Sequence, residues 1–206
     1  MKSLIFDVDG TLWDSTPDTA ECWREVFSEQ GIECSGITAS RLKQEFGKLL
    51  SDIGRSLFPE LPEKIMLPLV NECCRRNNDW LLQKKPPLYD GVRELFTFLF
   101  EKKLPIVIVS NCEAGYIEVL MKIHGLEPYV TGHLCPGDTG FAKAENIRLA
   151  CRKWALEEPA YVGDTLGDYR ASKAAGVPFV YASYGFGSVP EFDYSISSPE
   201  ELITII

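Results

Sequence analysis

The chain has 206 residues, 45% of them hydrophobic and 25% charged, which suits a folded protein with a sizeable core and room for a small second domain. A net charge of -9 argues against a nucleic-acid-binding surface and means that an anionic substrate has to be drawn in by a local cation. No apolar run approaches the roughly 18 residues of a membrane span, the start MKSLIFDVDG lacks the features of a signal peptide, and the cysteines include no C-x-x-C pair. A cytoplasmic protein with reduced thiols and no membrane or nucleic-acid partner is therefore expected.

The first predicted element is a buried strand over Leu4–Val8, entering the string DVDGTLWD. The strand pattern would put Asp7 and Asp9 on one face, where two carboxylates repel unless a cation bridges them or one holds a proton. Either state suits a site in which one carboxylate attacks and its neighbour exchanges protons; a solvated turn would also carry these residues. Gly10 permits a tight turn, and Thr11 offers a hydroxyl and a backbone N–H.

From Ser15 to Pro86 the pattern is helical, over about Thr16–Gln30, Thr38–Leu57 and Glu63–Lys84, with Pro68 expected to kink or delay the last helix. This stretch is far too long for a βα loop. The economical organisation is a core of residues 1–14 and 87–206 interrupted by a helical cap, 15–86.

Beyond the insert, strands are predicted at Ile106–Ser110, Tyr129–Leu134, Ala160–Gly163 and Phe179–Ala182, separated by helices near Glu113–His124, Lys143–Leu156 and Leu166–Ala175. Such alternation specifies an α/β fold with a Rossmann-like, doubly wound parallel sheet. The sequence closes on Ser198-Pro199-Glu200-Glu201, a helix-start signal, before an apolar tail.

Ligands of such sheets bind beyond the carboxyl ends of the strands. After the second strand, Ser110 and Asn111 are compatible with an ordinary helix cap or with an anion site. After the third, Lys143 opens a helix, where the macrodipole opposes it unless a ligand phosphate draws its ammonium; a solvated lysine is the alternative. After the fourth, VGDTLGD supplies Asp164, which with Asp7 and Asp9 would make an oxygen-rich pocket suited to Mg²⁺. Asp168 is either a favourable helix-start charge or support for that metal.

Taken in order, DVDGTLWDS, VSN, Lys143 and VGDTLGD resemble the haloacid dehalogenase superfamily in its phosphatase branch, with a helical insert placed as in phosphoglycolate phosphatase-like members. The lysine segment reads FAKAEN, where many relatives carry proline after the lysine. The resemblance implies an Mg²⁺-dependent hydrolase of small phosphomonoesters, working on an anionic phosphorylated metabolite; for the assembly, monomer and dimer both stay open. It assigns Asp7 as the nucleophile forming an aspartyl phosphate and Asp9 as acid and base. Mg²⁺ falls to Asp7, Asp164 and the Asp9 carbonyl, and the phosphoryl oxygens to Ser110 and Lys143 near Gly10, Thr11 and Asn111. Asp168 supports Lys143 or the metal. An acid at position 9 speaks against dehalogenation, which has no leaving oxygen to protonate. A phosphomutase of the β-phosphoglucomutase type uses the same core and stays open, as does a non-catalytic protein of the same fold. In the cap, Lys48 beside Gly47, and Arg55 seven residues on, are the candidates for contact with an anionic substrate; solvated surface charges are the alternative.

Overall fold

The computed structural model describes residues 1–206 and divides into two compact units, Met1–Asp14 with Pro87–Ile206, and Ser15–Pro86. The first unit is built on a parallel sheet. Its strands are β1 (Ser3–Phe6), β2 (Ile106–Val109), β3 (Gly132–Leu134), β4 (Pro159–Gly163), β5 (Phe179–Ala182) and β6 (Tyr194–Ile196). They lie in the order β3-β2-β1-β4-β5-β6, and every neighbouring pair is parallel. This is the α/β sheet that the alternation predicts.

The central strands are continuous apolar runs because both faces of the sheet are covered: SLIF and IVIV are buried at every position. Each fully buried Val, Leu, Ile or Phe contributes roughly 1.5–3 kcal/mol, so the three innermost strands hold their ends rigidly. In register, Phe6 lies opposite Ile108 on one side and Val162 on the other. From β1 the order runs outward through β2 on one side and β4 on the other, so the ends of β1 and β4 flank the point where strand order reverses.

Two expectations for this unit are corrected. The first strand stops at Phe6, not Val8. The Val8 carbonyl accepts from the N–H groups of Thr11 and Leu12, and Gly10 adopts φ +79, so the chain turns at once after Asp7. Asp7 and Asp9 are therefore on a tight loop and not on one face of a strand. A sixth strand, Tyr194–Ile196, also escapes the sequence pattern. It is short and carries two exposed residues, giving no apolar run to read. The final element is a 3₁₀ helix, Pro199–Thr204.

Helices lie between the strands in chain order, α5 (Val92–Glu101), α6 (Tyr116–His124), α7 (Pro136–Thr139), α8 (Lys143–Lys153) and α9 (Leu166–Ala175), and α5, α8 and α9 pack against the sheet. The second unit holds α1 (Thr16–Glu29), α2 (Ala39–Glu45), α3 (Leu50–Leu57) and α4 (Glu63–Lys84). The helix expected over Thr38–Leu57 is two, because Phe46 is extended and Gly47 takes φ +88. Pro68 lies inside α4, which starts five residues ahead of it and continues to Lys84. The core of this unit gathers Trp23, Val26, Phe27, Leu42, Phe58, Met66 and Val70, with the Phe27 and Phe58 rings stacked at 4.0 Å.

Candidate active site

Asp7 is the first residue beyond β1, and its N–H still donates to the Val162 carbonyl at 2.9 Å, which fixes its backbone to β4. Asp164 is the first residue beyond β4. Both are buried, at 2% and 0% exposure. Lys143, the opening residue of α8, is also buried at 4% and donates to Asp7 Oδ1 at 2.9 Å and to Asp168 Oδ1 at 2.6 Å. Ser110, beyond β2, gives Asp7 a further hydrogen bond from its hydroxyl.

The crevice therefore collects three strand ends and the start of one helix around one carboxylate. Asp168 has its own supports: its Oδ2 accepts from the Thr165 N–H at 3.0 Å and the Thr165 hydroxyl at 2.6 Å, in a reciprocal capping box at the start of α9. Its Oδ1 accepts from Lys143, and the Tyr161 hydroxyl, which donates to the Val109 carbonyl at 2.8 Å, lies 3.4 Å away, so Asp168 both starts a helix and aims the lysine.

The electrostatics follow from burial. Burial, then the charge of Asp168, pushes the Asp7 carboxyl above the usual carboxylate range, against the opposing pull of Lys143 and Ser110. The Asp164 carboxyl is pushed up by burial, then by Asp168 and Asp7, with the Phe186 N–H and Lys143 opposing. Burial would lower the Lys143 ammonium, but Asp168 and Asp7 outweigh it and hold the lysine charged.

One lysine thus faces three buried acids, Asp7, Asp164 and Asp168, whose ligand atoms lie within 4.8 Å of one another. Asp164 Oδ2 accepts from the Phe186 N–H at 2.7 Å, but Asp164 Oδ1 is buried with no hydrogen-bond partner, as is the Thr11 hydroxyl. A buried carboxylate oxygen without a donor is costly. An oxygen-only, acid-rich pocket with an unsatisfied carboxylate oxygen is the donor set of a hard divalent cation, so these residues fit Mg²⁺. Asp168 is the least suited of the three to ligate it, because both its oxygens are already engaged.

Two backbone approaches shape the pocket. An added Cβ at Gly10 would lie 2.1 Å from Asp164 Oδ2, and one at Gly185 would lie 2.3 Å from both Asp164 Cβ and the Gly10 carbonyl. The loop after β5 therefore closes directly over Asp164, and only glycine lets it do so.

The structure also supplies groups that the sequence pattern does not show. Asp9, half-buried, accepts at Oδ1 from the Tyr116 hydroxyl at 2.8 Å. Tyr161, Thr165 and the Phe186 N–H complete the surroundings of Asp168 and Asp164. Only Thr165 had a local signal, as the residue three before Asp168 at a helix start. Asn111 follows Ser110 and is half-buried. In the helical unit, Lys48 pairs with the buried Glu45 at 2.5 Å, and Arg55 pairs with Asp52 at 3.0 Å and Glu63 at 3.3 Å. Both cations thus have acidic partners within their own unit.

The family model of haloacid dehalogenase-like hydrolases matches residues 4–182. The chain belongs to this family. Among curated relatives of this hydrolase is the phosphoglycolate phosphatase of Photobacterium profundum, 30% identical over 90% of this chain and 85% of that protein. Another is the N-acetylmuramic acid 6-phosphate phosphatase of Pseudomonas putida, 25% identical over 90% of this chain and 84% of that protein. A solved haloacid dehalogenase-like family hydrolase from Streptococcus pneumoniae has the same fold, with a TM-score of 0.85, 18% identity, and coverage of 100% of this chain and 98% of that one. No helix of the hydrolase is long and apolar enough to cross a membrane.

Proposed function

We propose that this hydrolase is an Mg²⁺-dependent phosphatase of small phosphomonoesters that works through an aspartyl phosphate on Asp7. The observation that carries it is the buried Asp7–Lys143–Asp168 array beside Asp164, whose Oδ1 has no donor. The relatives named as phosphatases of phosphoglycolate and N-acetylmuramic acid 6-phosphate support a small anionic phosphorylated metabolite as substrate. The division into a catalytic core and a helical cap belongs to the same proposal.

Phosphoryl transfer asks a protein mainly for positioning and for neutralisation of charge on the transferred group. An Mg²⁺ held by Asp7, Asp164 and the Asp9 carbonyl would screen the repulsion between the anionic nucleophile and the anionic phosphate. One Asp7 carboxylate oxygen attacks phosphorus as the bond to the leaving oxygen breaks, and Asp9 gives that oxygen its proton. Asp9 then takes a proton from water, whose oxygen attacks phosphorus and releases Asp7. Lys143 holds the nucleophile in place and balances charge on the phosphoryl oxygens, with Ser110 as a second donor. Asp168 keeps Lys143 charged and aimed.

The test is phosphate release from a panel containing 2-phosphoglycolate, N-acetylmuramic acid 6-phosphate and hexose phosphates, with Mg²⁺ and with EDTA. Metal-dependent release that Asp7→Asn abolishes supports the proposal. Conversion of a hexose 1-phosphate into its isomer without free phosphate would replace it with the mutase reaction. No turnover of any compound would leave a binding protein.

A further inference from the structure

The side chain of Asp9 does not stand alone in its loop. The Tyr116 hydroxyl donates to Asp9 Oδ1 at 2.8 Å, across 107 residues of sequence. Tyr116 is the first residue of α6, behind Gly115 at φ +89, and its side chain is buried, at 8% exposure. The ring packs edge-on against Trp13, centroid to centroid 5.8 Å at 67°. Trp13 is fully buried and is tied back to the aspartate loop: it bridges Asp9, and its carbonyl accepts from the Gly10 N–H at 2.9 Å. The tyrosine ring therefore rests on a residue of the same loop that carries Asp9, and its hydroxyl reaches back to the carboxyl. Loop, tryptophan and tyrosine thus form a closed circuit, in which the Asp9 backbone is bridged by Trp13 and its side chain is held by Tyr116.

Resting on the assignment of Asp9 as acid and base, we propose that Tyr116 is a positioning residue that holds the Asp9 carboxyl, through Oδ1, in the orientation from which it gives and takes the proton. In the first step the carboxyl O–H bond of Asp9 breaks as the leaving oxygen gains the proton and parts from phosphorus. In the second, the same carboxylate receives a proton from the attacking water. Both transfers then occur from one fixed group, and misplacing a proton donor even slightly is expensive in rate.

The experiment compares wild type, Tyr116→Phe, Asp9→Asn and the double variant on phenyl phosphate and p-nitrophenyl phosphate, in single turnover and steady state with Mg²⁺. Phenoxide is the more basic leaving group and depends more on protonation. Tyr116→Phe is isosteric apart from its hydroxyl, and circular dichroism checks that it is folded. The expected result is a loss of about tenfold in phenyl phosphate cleavage, with KM within about twofold and a clearly smaller loss for p-nitrophenyl phosphate. In the Asp9→Asn background, removing the hydroxyl should cost under about twofold, because the effect passes through Asp9.

Equal losses for the two leaving groups, or full additivity with Asp9→Asn, would overturn the role of Tyr116. A crippled Asp9→Asn beside an unaffected Tyr116→Phe would do the same and leave Asp9 as the acid. An Asp9→Asn variant with wild-type cleavage of phenyl phosphate would instead remove the assignment on which the inference rests.

Discussion

Lys143 and Asp168, on the two helices that flank β4, meet in a buried ion pair of 2.6 Å. The same ammonium reaches Asp7 at 2.9 Å, so Asp168 acts on the candidate nucleophile at one remove. A buried ammonium is tolerable only when it is paired, and here both of its partners sit in the crevice.

Replacing Lys143 with Ala should reduce turnover roughly 10²- to 10³-fold, by comparison with the loss of a single donor to a developing anion. Asp168→Asn keeps the shape of the capping box but removes the charge that aims the lysine, so it should reduce turnover less than Lys143→Ala does. Steady-state kinetics on p-nitrophenyl phosphate with saturating Mg²⁺ measures both. An Asp168→Asn enzyme as inactive as Lys143→Ala would mean that Asp168 has a direct part in the chemistry.

The raised carboxyls of Asp7 and Asp164 give the metal-free protein a definite pH dependence. Because burial and neighbouring acids hold both above the usual carboxylate range, the folded state binds more protons than the unfolded chain. In EDTA, stability should therefore fall as pH rises from about 4 through the raised value of Asp164, about 8. Adding Mg²⁺ should restore stability most at the high end, where both acids are ionised. Thermal unfolding at a series of pH values checks this. Asp164→Asn should flatten the EDTA profile and lose most of the response to Mg²⁺; a variant that still melts higher with Mg²⁺ by the wild-type margin would move the metal elsewhere.

Gly10 carries two constraints at once, a φ of +79 and no room for a Cβ beside Asp164. Gly10→Ala should cost about 1–3 kcal/mol in urea unfolding and displace the Asp164 carboxylate, lowering Mg²⁺ affinity. Unfolding in EDTA separates the backbone cost from the metal effect. Unchanged stability in EDTA would show that the loop has another conformation to adopt.

In the helical unit, Glu45 predicts a pH dependence of opposite sign. Its side chain is buried at 2% exposure and takes Lys48 at 2.5 Å, Arg41 at 3.0 Å and the Ser56 hydroxyl at 2.8 Å. Burial alone would raise its carboxyl, but the hydrogen bonds from Lys48 and Ser56 and the two positive charges outweigh it and hold the carboxyl below the usual range. A depressed acid stabilises the fold above its unfolded value, about 4.3, and that contribution is lost as pH falls through the depressed value. Glu45→Gln should therefore destabilise the protein near neutral pH, by about 1–3 kcal/mol for a charged hydrogen-bond cluster. The gap to wild type should shrink in acid. A gap that stays constant with pH would assign the loss to shape and not to charge.

What the sequence determined is what local pattern encodes. Apolar runs such as LIF, IVIV and AYVG announce buried parallel strands, and helix-spaced segments between them force a doubly wound sheet, because both faces of such strands must be covered. In that sheet the residues after each strand necessarily collect at one edge, so Asp7, Ser110, Lys143 and Asp164 could be nominated before any coordinate was known. The tertiary structure decided the rest, for reasons the local pattern does not carry. The turn at Val8 took Asp7 and Asp9 off the strand because one carbonyl captured the following N–H groups. The grip of Tyr116 on Asp9, of the Phe186 N–H on Asp164 and of Lys48 on a buried glutamate each depends on side chains meeting in space. Periodicity places a residue on a face of its own element. Only packing decides which group from another element stands opposite it, and at this crevice that choice sets the charge, the aim and the hydrogen bonds of every acid.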